Sequence, residues 1–287
     1  NYYSTNLKKK RIEILKKNRN FNFFKIDITN KNLLKKTLKS KKFDFVFHFA
    51  AQPGVRYSLI NPKKYLDVNI NGFINLLDAI NFKSVRKFFY ASSSSVYGDV
   101  NKFPVDEKQY LAPKNPYGIS KKINEDLASI YATKYKTQFI GLRLFTIFGV
   151  WGRPDMFIIK FIKSAFNKNK FYLNNSGKHY RDFTYISDVI KIINKLLFIK
   201  KTKKKNIILN ICTSKPIYIK HLTSELQKKI GGSKIVNIKK NKADVFKTHG
   251  NNKLLQKTIG KFKFTKFDLA LKDLIVWSLK NKKYLLD

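Results

Sequence analysis

Cysteine, methionine, acidic residues and early glycines are what this chain has least of: 287 residues hold one Cys, one Met, 18 Asp and Glu against 60 Lys and Arg, and 12 Gly. The lone Cys212 excludes an internal disulfide and suits a reducing, cytoplasmic compartment. No apolar run approaches the roughly 20 residues that cross a bilayer, so no membrane span is expected. His48 has no second ligand or acid at metal spacing and reads as a core or strand-end residue, so no metal centre is expected. Glycine first occurs at Gly54, and Gly149 with Gly152 lies in the wrong place, so no strand runs through a glycine-rich turn into an opening helix.

The shortage of acids leaves a formal charge of +42, which ordinarily suggests nucleic acid or an anionic surface. Here the lysines are spread over the whole chain beside abundant Asn, Ile and Phe, which is a compositional bias rather than a clustered footprint, and no nucleic-acid partner is expected. The run Lys203 to Lys205, between two apolar segments, reads as a solvated loop.

What is present is enough for a folded core, since 43% of the residues are hydrophobic. Short apolar runs at residues 21–28, 43–50, 86–92 and 139–145 read as strands, and residues 30–40, 63–80 and 116–135 have helical spacing. That alternation predicts an α/β fold with a doubly wound parallel sheet. After Gly149 it weakens into a helix at residues 155–167, short strands and loops, which suits a smaller lobe over the cleft. The expected division gives residues 1–148 and 183–215 to the sheet domain and residues 149–182 and 216–287 to the lobe, with no linker between them. Cys212, next to Ile207, Ile208, Leu209 and Ile211, is expected to be buried at a strand.

Chemistry concentrates at residues 115–122. Pro116 suits a first helical position, Asn115 can cap it, and Tyr117 and Lys121, four apart, fall on one face. An ammonium held against a phenol favours the phenolate and lowers a pKa that is about 10 in free tyrosine, so a base usable near neutrality is expected. Upstream, Phe88, Phe89, Tyr90 and Ala91 lead into Ser92 to Ser95 and then VYG, a buried strand ending in hydroxyls that should face a crevice.

The serine run before VYG, the YxxxK helix and the stretch RLFTIFGVWGRPDM from Arg143 to Met156 resemble the extended short-chain dehydrogenase/reductases, and among them the NAD-dependent UDP-glucuronate 4-epimerases. The likeness continues through AAQPGVRYSLINP, YRDFTYISD and a tail with Ala243, Asp244, Val245 and Trp277. It implies a Rossmann-type fold, C4 epimerisation of a UDP-sugar through a transient 4-keto intermediate, NAD as cofactor, homodimerisation and a place in polysaccharide biosynthesis. By resemblance Tyr117 is the base, Lys121 the ribose ligand and phenolate stabiliser, and Ser93 the partner of the reacting oxygen. Asp27, Ile28, Phe49, Ala50, Ala51 and Asn69 fall on cofactor positions. Ser94, Ser95, Thr146 and Arg153 border the sugar and its carboxylate, Arg181 faces the diphosphate with Arg56 as a further candidate, and Asp244 faces the uridine ribose.

A 4,6-dehydratase or a uronate decarboxylase would carry acids where Ser94 and Ser95 stand, so these are disfavoured, and UDP-glucose 4-epimerase is the alternative. A non-catalytic nucleotide or nucleic-acid binding fragment is the alternative of another class. The family opens with a strand, a glycine-rich turn, a helix and a second strand, whereas Asn1, Tyr2 and Tyr3 resemble the loop after that second strand. The chain is therefore expected to lack those elements, to leave the strand at residues 43–50 with an unpaired edge, and to be inactive or poorly soluble alone. Restoring roughly 30 residues is expected to restore NAD binding.

Overall fold

The computed structural model describes residues 2–200, 204–241 and 243–286, so Asn1 and Lys203 lie outside the described residues. Helices α1 (Thr5–Lys16) and α2 (Lys31–Leu38) precede strand β1 (Phe45–His48). The turns α3 (Val55–Ile60) and α4 (Pro62–Tyr65) lead through a π-helical stretch at Leu66–Asn71 into α5 (Gly72–Ala79). Then come β2 (Lys87–Ser93), α6 (Pro116–Lys134), β3 (Gln138–Leu144), β4 (Thr146–Phe148), α7 (Phe157–Phe166), β5 (Lys170–Asn174), β6 (Tyr180–Tyr185) and α8 (Ile186–Phe198). The chain finishes with β7 (Asn206–Ile211), β8 (Pro216–Tyr218), α9 (Ile219–Ile230), β9 (Lys234–Ile238), α10 (Lys253–Ile259), α11 (Phe267–Lys280) and α12 (Lys282–Leu286).

Strands β1, β2, β3 and β7 form one parallel sheet in that order. Side chains alternate across it. Phe88, Tyr90 and Phe139 pack with Phe73 and Ala128 on one face, while Phe89, Ile140 and Leu142 pack with Val189, Ile192 and Leu209 on the other. Burial on both faces explains why β2 reads as an uninterrupted apolar run. A second core gathers Ile158, Phe161 and Ile162 of α7 with Phe171, Leu226 and Leu274, beneath the smaller sheets β4–β6–β8 and β5–β9. No helix among the described residues is long and apolar enough to cross a membrane.

One expected strand is not formed. Residues 21–28 run without regular structure, and Phe23 and Phe24 are exposed. An extended segment becomes a strand only when a neighbour takes its backbone donors and acceptors, and no described strand lies beside this one. The expected edge at β1 is present: among the described residues β1 pairs only with β2, and Phe47 and Phe49 remain 41% and 46% exposed. Cys212 follows β7 and is fully buried, as expected.

Candidate active site

Helix α6 starts as its sequence dictates, with Pro116 at the first turn and the Asn115 side chain accepting from the Gly118 amide at 2.9 Å. Gly118 also lets the helix approach the serine turn, because a methyl group there would lie 2.6 Å from the Ser95 carbonyl oxygen. Tyr117 is thereby held over the end of β2. The Ser93 hydroxyl lies close enough to favour ionisation of the Tyr117 phenol, accepts from the Ser95 amide at 3.2 Å and contacts the Ser95 hydroxyl at 3.2 Å.

The charge state of that phenol differs from the expectation. Burial raises the Tyr117 pKa above its ordinary value, with Ser93 and then Arg153 pulling only part of the way back. Lys121 lies behind the ring, its Nζ 5.9 Å from the ring centroid, so helical spacing does bring the pair together. It does not activate the phenol, because removing the ring from water outweighs the charges around it. Lys121 is 2% exposed, burial pushes it down to about 8, and no acceptor holds its ammonium among the described residues.

A cavity of about 540 Å³ opens from these residues at the carboxyl ends of β2 and β3. Its walls include Ser93, Ser94, Ser95, Tyr117, Thr146 and Arg153, together with Arg56, Arg181 and Asp244. The expected catalytic and sugar-side residues therefore share one chamber, with Lys121 just behind it. Arg153 donates to Asp155 at 3.1 Å and sits over the Tyr2 ring, 5.6 Å from its centroid. Arg181 donates to the Tyr180 carbonyl at 2.7 Å; burial pushes it down to about 10, Asp244 opposes that and Arg56 adds to it, yet a guanidinium stays charged. Asp244 is already engaged, by Arg56 Nη2 at 2.6 Å and by the Asn174 amide at 2.7 Å.

The remaining cofactor-side residues lie outside this chamber. Asp27 is exposed and accepts from the amide and hydroxyl of Thr29 at 2.9 and 2.8 Å, an ordinary turn bond. The Ile28 carbonyl accepts from Asn75 at 3.1 Å. Phe49, Ala50 and Ala51 follow the carboxyl end of β1 and lead to the cavity wall at Pro53 and Gly54. Asn69, in the π-helical stretch, is 1% exposed and bonds the amide and carbonyl of Gln52 and the Ser120 hydroxyl, so it fixes the loop after β1 against α6. His48 is a core residue as expected, stacked on Phe73 at 5.1 Å, and burial with Lys121 nearby holds it at about 3.

Sequence reasoning missed the polar layer beneath the site. Arg143 on β3 forks onto Glu125 of α6 through two bonds of 2.8 Å, both side chains being no more than 4% exposed. Ser92 donates to Glu125, and Arg143 also reaches the Tyr97 hydroxyl at 3.0 Å. Burial opposes the charge on Arg143, but Glu125 more than offsets it and holds the guanidinium above its ordinary range. The pair ties together the serine strand, the Tyr117 helix and the strand leading to Thr146. Glu125→Leu is expected to destabilise the fold by about 3–5 kcal/mol, whereas Glu125→Leu with Arg143→Met loses much less. Urea titration of both decides it, and a double variant no more stable than the single one refutes the account.

Tyr2, His179 and Asn174 were also missed as cavity residues. For His179 a signal existed: it stands two residues before Arg181, and alternate residues of an extended segment share a side.

Known proteins resemble this chain along most of its length. Residues 2–212 match the model of the NAD dependent epimerase/dehydratase family. An uncharacterized protein of Methanocaldococcus jannaschii is 37% identical over all of this chain and 87% of its own length. A UDP-glucuronate 4-epimerase of Thermodesulfobacterium geofontis is 34% identical over 97% of this chain and 86% of its own. Among solved structures, UDP-glucuronic acid 4-epimerase from Bacillus cereus, in complex with UDP-glucuronic acid and NAD, is 29% identical with a TM-score of 0.87, covering 96% of this chain and 87% of that one. With the family model spanning well over half of its length, this chain belongs to the NAD dependent epimerase/dehydratase family.

Proposed function

We propose that this protein inverts C4 of UDP-glucuronate to give UDP-galacturonate, with NAD as its cofactor. The observation that carries the reading is that one cavity is lined by Ser93 and Tyr117 together with Arg181, Arg56 and Asp244, and by Thr146 and Arg153. A nucleotide sugar offers a reacting hydroxyl, a carboxylate and a diphosphate to match, and guanidinium forks suit the last two. Carboxylates in the lining are confined to Asp155 and Asp244, each paired with an arginine. The positions before Val96 offer only hydroxyls, which leaves no acid and base for dehydration and no negative charge to repel a uronate as it turns over.

The chain's own residues fit NAD at the nicotinamide end, where Lys121, 2% exposed and with no acceptor for its ammonium among the described residues, is a ready donor to ribose hydroxyls. Bound NAD supplies a hydride acceptor for the sugar and then a donor. Tyr117 takes the proton of the 4-hydroxyl and returns it to the 4-keto sugar after that sugar has rotated, while Ser93 hydrogen-bonds the reacting oxygen. Burial holds the Tyr117 pKa above its ordinary value, and Ser93 and then Arg153 are the groups that favour its ionisation. Arg153 and Thr146 hold the carboxylate end, Ser94 and Ser95 leave room for rotation, and Arg181 and Asp244 hold the diphosphate and ribose.

The protein given UDP-glucuronate and NAD is expected to yield UDP-galacturonate until the two reach equilibrium, as read by chromatography of the nucleotide sugars. Conversion of UDP-glucose with no action on UDP-glucuronate would assign the site to the neutral sugar instead.

A further inference from the structure

His179 stands immediately before β6, and its backbone is tied on both sides, its amide donating to the Gly177 carbonyl at 2.8 Å and its carbonyl accepting from the Ile219 amide at 3.0 Å. The imidazole so fixed lines the cavity with Arg181. Its Nδ1 is buried without a hydrogen-bond partner among the described residues. The charged groups acting on the ring come from several elements: Arg181 on β6, Arg56 on α3, and Asp244 and Lys240 from the segment after β9. Lys247 and His249 border the same cavity. The one carboxylate in this group, Asp244, is occupied by Arg56 and Asn174. A ring with an unpartnered nitrogen among guanidiniums and ammoniums suits an anionic ligand.

We infer that His179 is a diphosphate-binding residue that takes up a proton as the nucleotide sugar enters the cleft. The inference rests on the reading that an anionic nucleotide sugar occupies the cavity. Burial and the Arg181 charge push the empty-site imidazole down to about 4, so it is neutral at physiological pH and adds no repulsion to the cluster. Two phosphate charges reverse the local balance and favour the imidazolium, which donates a charge-assisted bond to a phosphate oxygen. The sign follows from linkage: a group whose pKa is higher in the complex than in the free protein binds its proton with the ligand, so affinity rises as pH falls between the two values.

Calorimetric titration of the protein with UDP-glucose, without added NAD, tests this free of turnover. The diphosphate of that probe is fully esterified and stays ionised throughout, so any proton taken up belongs to the protein. Between pH 7.5 and 5.5 binding is expected to tighten by about tenfold, the effect of one imidazole titrating near its ordinary value in the complex. Two buffers of different ionisation enthalpy should register the proton uptake directly. His179→Gln, uncharged and still able to hydrogen-bond, is expected to bind UDP-glucose with neither uptake nor pH dependence. His179→Lys should bind tightly at both pH values without uptake. Absence of uptake in the unaltered protein overturns the inference whether or not the variants fold, and uptake persisting in His179→Gln assigns the proton to another group such as His249 and overturns it equally. Failure of the unaltered protein to bind UDP-glucose at any pH is a different result, which removes the nucleotide-sugar reading itself.

Discussion

Tyr117→Phe lowers the turnover of UDP-glucuronate by roughly 10²–10⁴-fold, the range for deleting a positioned acid–base group, and leaves binding of UDP-glucose within about twofold. The split follows from what the substitution removes. The ring is kept, with its edge-on contact to Tyr65 at 6.2 Å between centroids, so the helix start and the cavity wall stay in place. The hydroxyl is lost, and with it the phenol that stands beside Ser93 and can exchange a proton with a sugar 4-hydroxyl. Ser93 cannot substitute, because an aliphatic hydroxyl is a far weaker acid and its oxygen is already held by the Ser95 amide at 3.2 Å. Ser93→Ala should therefore cost less than Tyr117→Phe, since it removes a hydrogen bond to the reacting oxygen and not the proton acceptor. Nucleotide-sugar chromatography measures the first quantity and calorimetry the second. A Tyr117→Phe enzyme retaining more than a tenth of its turnover would place the base elsewhere.

How much of this was legible beforehand depended on the range over which each cause acts. The start of α6 was readable because capping is local: Asn115, Pro116 and Gly118 meet within one turn. Strand β2 was readable because burial on both faces leaves an unbroken apolar run. Residues 21–28 carry the same kind of signal and make no strand, because pairing needs a neighbour that no local pattern can supply. Spacing placed Lys121 against Tyr117 correctly but said nothing about how deeply either is buried, and burial decides their charge. Asn69 was tied to the cofactor by resemblance, whereas its amide is largely engaged with Gln52 and Ser120, the latter 51 positions away. Glu125 and Arg143 lie 18 positions apart in a helix and a strand, and only the packed sheet shows that they form one polar layer under the site.

Lys121→Met makes the ligand-free protein more stable and takes away its hold on NAD. Lys121 is 2% exposed, with no acceptor for its ammonium among the described residues and with His48 close enough to be pushed down by its charge. Burial alone lowers it from 10.5 to about 8. At about 1.4 kcal/mol per unit, keeping it charged costs the native state about 3 kcal/mol. That cost is present in full below the folded value, and it fades as pH rises from about 8 to 10.5, because over that interval only the unfolded chain still binds the proton. Methionine fills a similar volume without a charge, so at pH 7 the variant should melt roughly 5 °C higher. Its advantage over the unaltered protein should shrink as the pH is raised beyond 8, which a merely better-packed side chain would not produce. Such a residue is retained against stability only if something else uses it, and ribose hydroxyls are the acceptors that would satisfy the ammonium. NAD affinity measured on the variant should accordingly fall by at least tenfold, the loss of one charge-assisted hydrogen bond in a buried site. A variant that melts lower than the unaltered protein, or that binds NAD as tightly, would show that Lys121 is an ordinary packed lysine and not a donor kept waiting for the cofactor.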